Sequence, residues 1–243
     1  MKALACSPDG KWLAIGKRDG TVALTDVALK LTRTLAISSH GIDDLALSPD
    51  GSLLAVNVSG ASAQLWNAIQ GTLVATLKTD FSGSTSMDFS PDSGLLATAD
   101  SDTAIRIYDR IGRLRARYSG LVLEPYAIRF MPDGKQIAVG GADCMLTILD
   151  VSDNHVVRQL PKQTDPIFAI VPLPDGTSLL SIHIDAARLD NYTTLLWNVR
   201  TAAKQELDMD AAHMVGAGAT ADHKALFFIA DSDSTLTVWT LPG

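Results

Sequence analysis

A four-residue turn, repeated at a nearly fixed interval, constrains this chain more than any other feature in it. Ser7-Pro8-Asp9-Gly10 recurs as Ser48-Pro49-Asp50-Gly51, Ser90-Pro91-Asp92-Ser93, Met131-Pro132-Asp133-Gly134 and Leu173-Pro174-Asp175-Gly176, with a worn sixth copy at Thr220-Ala221-Asp222-His223. Pro8, Pro49, Pro91, Pro132 and Pro174 follow one another at 41 or 42 residues. A fixed period in this range means an array built from one supersecondary unit. Proline presets φ for the second position of a β-turn, Asp hydrogen-bonds nearby backbone, and Gly accepts a positive φ after it.

Short apolar runs flank each turn, such as Leu45-Ala46-Leu47 before and Leu53-Leu54-Ala55-Val56 after the second copy. Runs of this length between turn signals predict buried strands, so each turn joins two antiparallel strands. The spacing predicts four strands per copy, for example 1–6, 11–16, 21–26 and 31–36 in the first and 144–150 as the third strand of the fourth. The sixth copy supplies three: 214–219, 224–230 and 234–240. No stretch reads as an amphipathic helix or a linker. Four-stranded units repeated around a ring are the propeller solution to exposed sheet edges.

At this point the repeats resemble the WD40 family. The position of the family's Trp-Asp pair holds Thr25-Asp26, Trp66-Asn67, Tyr108-Asp109, Leu149-Asp150, Trp197-Asn198 and Trp239-Thr240. The family's turn Asp is matched by Asp19, Asp102, Asp143 and Asp233 and replaced by Gly60 and Asn191. The resemblance covers the whole chain. It implies an all-β fold, a β-propeller with about six four-stranded WD40-like blades, in one domain over 1–243. The blades fall near 1–42, 43–83, 84–124, 125–165, 166–213 and 214–243, the last incomplete. The family most often has seven blades, so the chain is either a six-bladed ring closed imperfectly or part of a longer chain with an attached domain. The family's loop His is replaced by Ser38, Asp80, Leu121, Gln163 and Asp210. Its buried His–Asp–Ser/Thr–Trp network is therefore not expected in the family's form, and the turn Asp residues are expected to face water or cap local backbone.

Composition excludes some functions. The net charge of −7 and pI of about 5.1 argue against nucleic-acid partners, which need phosphate-neutralising Lys and Arg. No apolar run approaches the roughly 20 residues of a membrane helix. The N-terminus runs straight into the first turn, leaving no room for a signal peptide, and the expected location is cytoplasmic. Cys6 and Cys144 read as buried small hydrophobes rather than a disulfide.

The expected function is a non-enzymatic protein-interaction scaffold, with other proteins or peptides as partners. No catalytic, metal or cofactor site is expected, because no nucleophile elbow, phosphate loop or metal-ligand spacing occurs. His183-Ile184-Asp185 places a His and a carboxylate on one strand face but offers too few ligands for a metal, and reads as hairpin polarity. The alternatives are a propeller enzyme with a polar or metal site in its central funnel, drawing on residues such as Asp43, Glu124 or Asp165, and a ligand-sensing module of a larger signalling protein.

Two surfaces are candidates. By the resemblance, the loop 120–126 and an insertion of about six residues in copy five open on one side of a propeller, the side where family members commonly bind partners. That assigns Leu121, Leu123, Tyr126, Arg188, Asp190 and Tyr192 to a partner-facing surface. Separately, Arg113, Arg115 and Arg117 alternate along one strand, with Arg106 and Arg110 close by. Strict alternation would put the three on one side, as a patch for an acidic partner or as charges that block edge-to-edge pairing.

Overall fold

The computed structural model describes residues 3–7, 10–26, 28, 30, 32–78, 84–153, 155–185, 192–207, 214–219, 225–230 and 236–240. All regular structure among them is β, arranged in two compact units, 1–121 and 122–243.

The first unit holds three sheets. The first is β1 (Ala3–Cys6), β2 (Trp12–Gly16), β3 (Thr21–Asp26) and β4 (Thr32–Ala36); the second is β5 (Ile42–Leu47), β6 (Leu53–Val58), β7 (Gln64–Asn67) and β8 (Thr72–Thr76). The third is β9 (Ser84–Phe89), β10 (Leu95–Asp100), β11 (Ile105–Asp109) and β12 (Leu114–Tyr118). The second unit holds β13 (Pro125–Phe130), β14 (Gln136–Gly141), β15 (Thr147–Asp150) and β16 (Val156–Gln159), then β17 (Ile167–Pro172), β18 (Ser178–Ile184), β19 (Tyr192–Asn198) and β20 (Lys204–Leu207). Its last sheet is β21 (Met214–Ala219), β22 (Ala225–Ala230) and β23 (Leu236–Thr240). Every sheet is antiparallel with its strands in chain order, and the last has three described strands. These are propeller blades.

The repeated turn works as its chemistry implies. In the second copy Gly51 N–H donates to the Ser48 carbonyl at 2.8 Å. Ser48 Oγ accepts the Leu53 N–H at 2.9 Å and donates to Asp50 at 2.7 Å, while Asp50 accepts the Ser52 N–H at 3.0 Å. Ser90 and Asp92 repeat this in the third copy. Where Met131 and Leu173 replace Ser, the Asp bonds remain: Asp133 caps Lys135 N–H and Asp175 caps Thr177 and Ser178.

Third strands start later than the spacing predicts in three copies. The preceding turns end in the left-handed region at Gly60, Thr103 and Cys144 (φ 67°, 63° and 61°), and these turns use residues assigned to the strand. Cys144 is buried there. Cys6, expected inside, is exposed. Neither cysteine is in a disulfide.

Each core lies between neighbouring blades. Leu54 and Val56 join a cluster with Val22, Leu24 and Leu35 of the first blade. Leu53 and Ala55, pointing the other way, join one with Met87, Leu96 and Tyr108 of the third. In the second unit, Ile148 and Leu160 meet Leu179, Leu195 and Trp197 in the same manner. The approach is close: a Cβ on Gly140 would lie 2.6 Å from Ile167 Cγ2, so that position requires glycine.

Among the described turns, Ser93 is the one non-glycine residue at its position, held at φ 60°. Its buried hydroxyl accepts the Asp50 N–H of the neighbouring blade's turn at 3.0 Å, and its carbonyl accepts Arg110 Nη1 at 2.7 Å. The interblade bond offsets the backbone strain. Ser93→Ala keeps the strain and loses the bond, so urea denaturation should show a loss of about 1–2 kcal/mol. Ser93→Gly also relieves φ and should lose visibly less.

Candidate functional site

The first strands β5, β9, β13, β17 and β21 carry a bulge near their start, and β1 does not. Register shifts between Ile42 and Asp44, Pro125 and Ala127, and Ile167 and Ala169 leave Asp43, Tyr126 and Phe168 outside the ladder. β9 and β21 shift at the matching place, which puts Thr85 and Val215 at that register. A bulged residue pairs with nothing across the sheet and re-aims its side chain. Asp43 is exposed in the first unit; Tyr126 and Phe168, 38% and 40% exposed, project from the adjacent strands β13 and β17 of the second.

The loop before β13 exposes further apolar side chains. Its Glu124 carbonyl accepts the Ala142 N–H at 2.9 Å, and Pro125 is buried behind it. Val122 (78%) and Leu123 (48%) stay in solvent, while Leu121 is half-buried at the end of the first unit. Leu123, Tyr126 and Phe168 thus belong to one compact unit. Phe168 was not among the residues singled out by sequence, although it lies one repeat, 42 residues, after Tyr126.

Arg188 and Asp190 of the insertion lie outside the described residues. Tyr192 opens β19 half-buried and packs against the cluster of Val171, Leu173, Leu180 and Ile182. Its ring supports the blade core.

The arginine cluster is organised differently from the alternation expected. Arg106 is 2% exposed on β11. It donates to Asp100, at the end of β10, and to both carboxylate oxygens of the turn residue Asp102, at 2.9 and 2.5 Å. Thr98 donates to Asp100, Arg117 lies 3.5 Å from Asp102, and Arg106 holds the Asp102 carboxyl below the usual carboxylate range. Asp102 caps Ala104 N–H as expected, but it also serves this buried ionic network instead of facing water. A bulge between Ile107 and Tyr108 breaks the alternation of β12. Arg115 pairs with Asp109 at 2.9 Å and Arg110 with Asp50 at 2.9 Å; Arg113 is exposed just before the strand.

His183 is a buried core histidine, not exposed hairpin polarity. Trp197 Nε1–H donates to Ser181 Oγ at 2.8 Å, and the Ser181 hydroxyl to His183 Nε2 at 2.7 Å. A carbonyl only accepts, so the 3.1 Å contact of His183 Nδ1 with the Asp165 carbonyl fixes the proton on Nδ1. Both ring nitrogens are engaged, leaving none for a metal. The fifth blade therefore rebuilds a His–Ser–Trp network with its histidine on β18 rather than in the preceding loop, where Gln163 instead receives Lys204 Nζ at 2.6 Å.

Among the described residues, Asp150, Asp153 and His155 bring possible ligand atoms within 4.8 Å of one another at the β15–β16 turn. Asp150 caps Ser152 N–H at 2.8 Å, and Asp153 holds the exposed His155, raising its pKa. These bonds account for the cluster.

The family profile described as WD domain, G-beta repeat matches residues 1–26 and 71–109. The chain is 28% identical over 178 residues to nuclear distribution protein PAC1 of Arthroderma otae, covering 68% of this chain and 37% of that one. It is 29% identical over 143 residues to an uncharacterized WD repeat-containing protein of Synechocystis, covering 58% and 41%. It is 24% identical over 244 residues to actin-interacting protein 1 of Drosophila melanogaster, covering 96% and 38%. The chain thus spans about two fifths of the length of these relatives. No helix among the described residues is long and apolar enough to cross a membrane.

Two outcomes test the buried groups. Arg106→Met leaves Asp100 and Asp102 without their cation and should cost about 3–5 kcal/mol in chemical denaturation, the usual result of removing one partner of a buried pair. Burial pushes the His183 pKa below 6.5. The unfolded chain then binds the extra proton, so the contribution of His183 to stability is complete above that pH and is lost as the pH falls through it. The melting temperature should drop between pH 7 and pH 5 (roughly the range in which an ordinary histidine titrates). His183→Gln should flatten that dependence, which thermal melts across pH would show. His155, with its pKa raised, acts in the opposite direction but is fully exposed and screened.

Proposed function

The chain is a WD40-repeat protein with degenerate repeats, and from that premise we propose that it is a non-enzymatic recognition module for other proteins or peptides. One observation carries the reading: Tyr126 and Phe168 project from bulges at matching positions of adjacent strands, with Val122 and Leu123 exposed in the same unit. Packing does not require these side chains in solvent, and clustered aromatic and aliphatic groups are typical anchors of interfaces. From the sequence alone, Leu121, Arg188, Asp190 and Tyr192 are kept as further candidate partner contacts in our reading. An acidic partner at β12 is the weaker option, since Arg115 and Arg117 already have carboxylates and only Arg113 stands clear. The acidic net charge disfavours nucleic acid as the partner. Cysteines outside disulfides suit a reducing compartment, and we place the protein in the cytoplasm.

Removing a central aromatic anchor typically costs about 2 kcal/mol or more of binding. A Tyr126→Ala/Phe168→Ala double variant should therefore lose the proteins captured by the wild-type chain from a cell extract, with nearly unchanged melting temperature. Tyr192→Ala should lower the melting temperature, because its ring packs on the core. An identical set of captured proteins for the wild type and the double variant would move the site elsewhere.

A further inference from the structure

The first unit contains a binding-shaped feature that this reading does not use. A cleft of about 320 Å³ opens between the first two blades, lined by Trp12 and Leu24, by Arg33 of β4, and by Ala68 and Ile69 at the β7–β8 turn. That is near the lower end of small-ligand pocket volumes. Its walls are apolar, and they carry two donors, the Trp12 indole and the Arg33 guanidinium. Among the described residues the Trp12 indole N–H has no hydrogen-bond partner. Arg33 donates to the Ile69 carbonyl, and no described carboxylate pairs with it. Thr32 Oγ1 spends its proton on Thr25 at 3.1 Å. Most of the Arg33 fork thus remains available at the edge of an apolar slot, in a chain with 27 acidic and 20 basic residues.

The Trp12 and Arg33 donors call for an acceptor, and the cation specifies an anionic one; a planar guanidinium matches a carboxylate in two parallel bonds. The apolar walls call for a hydrophobic body attached to it. The surface beyond the mouth indicates where the rest of the occupant goes. Ile69 of the lining is 66% exposed, and Leu73 (48%) and Val74 (37%) are exposed on β8, the outermost strand of the same sheet. A compact small molecule would leave those side chains uncovered, whereas an extended chain could cover them.

We propose that this cleft binds the C-terminal end of a partner polypeptide whose last residue is large and apolar. The terminal side chain fills the slot, the α-carboxylate pairs with Arg33 and accepts the Trp12 N–H, and the preceding residues lie over Leu73 and Val74. The proposal does not depend on the surface at Tyr126 and Phe168, whose failure would leave it standing.

Fluorescence anisotropy of the full chain with a fluorescein-labelled Gly-Ser-Gly-Ser-Ala-Leu-Phe peptide tests it. Saturable binding is expected. C-terminal amidation, Gly in place of the last residue, and Arg33→Gln should each weaken it about tenfold or more, the scale of a lost charge-assisted bond or a lost anchor. Trp12→Phe keeps a ring in the wall and should weaken it a few-fold, while Arg158→Gln, an exposed arginine on β16, should leave it unchanged. Melting temperatures of the variants identify any loss that reflects unfolding. No binding, equal binding of the amidated peptide, or an unaffected folded Arg33→Gln variant would overturn the proposal. Displacement by free decanoate at the same concentration as unlabelled peptide would also overturn it, in favour of a small amphiphilic acid.

Discussion

A sheet that is apolar on both faces has no stable existence by itself, and the rest of this structure depends on that constraint. β6 is buried at every one of its positions, and its alternate residues enter different cores. Neither core is complete without a neighbouring blade. Stability therefore resides in contacts between repeats, as in any array whose units cannot cover themselves. Several local choices follow from it. Gly140 yields space to Ile167, and Ser93 accepts a left-handed backbone to bond the next turn.

Burial on both faces also makes every polar residue inside a blade costly unless it is partnered. The third and fifth blades meet that demand with different chemistry at comparable places. The third uses an arginine between two aspartates, and the fifth a neutral histidine relayed through Ser181 to Trp197. One solution is ionic and the other keeps every group neutral.

The turns and strand order were legible because they rest on short-range chemistry: Pro and Gly set φ locally, and short apolar runs between turns mark buried strands. The late starts of β7, β11 and β15 were not legible, since two of the left-handed turn residues are Thr103 and Cys144, which do not favour that conformation. The polar networks were hidden for another reason. His183 finds its acceptor at Asp165 in the loop before β17, and Trp197 reaches Ser181 on the neighbouring strand, side-chain contacts that strand order alone does not report. Arg106 looked like surface charge because its neighbours on β12 are arginines, while the aspartates that bury it lie just upstream. Of the candidate surface, Leu123 and Tyr126 were legible from excess apolarity in a loop. Phe168 was not, because it sits among strand residues in which one more aromatic draws no notice.

The bulge at the head of the first strands has an evolutionary consequence. A residue expelled from the ladder is under no obligation to the interior, so its identity can drift without taxing the fold. Among the described side chains, Asp43, Tyr126 and Phe168 stand at that one register: an acid and two rings. Such a scaffold can exchange its recognition vocabulary one letter at a time, because the letters are displayed where folding is indifferent to spelling.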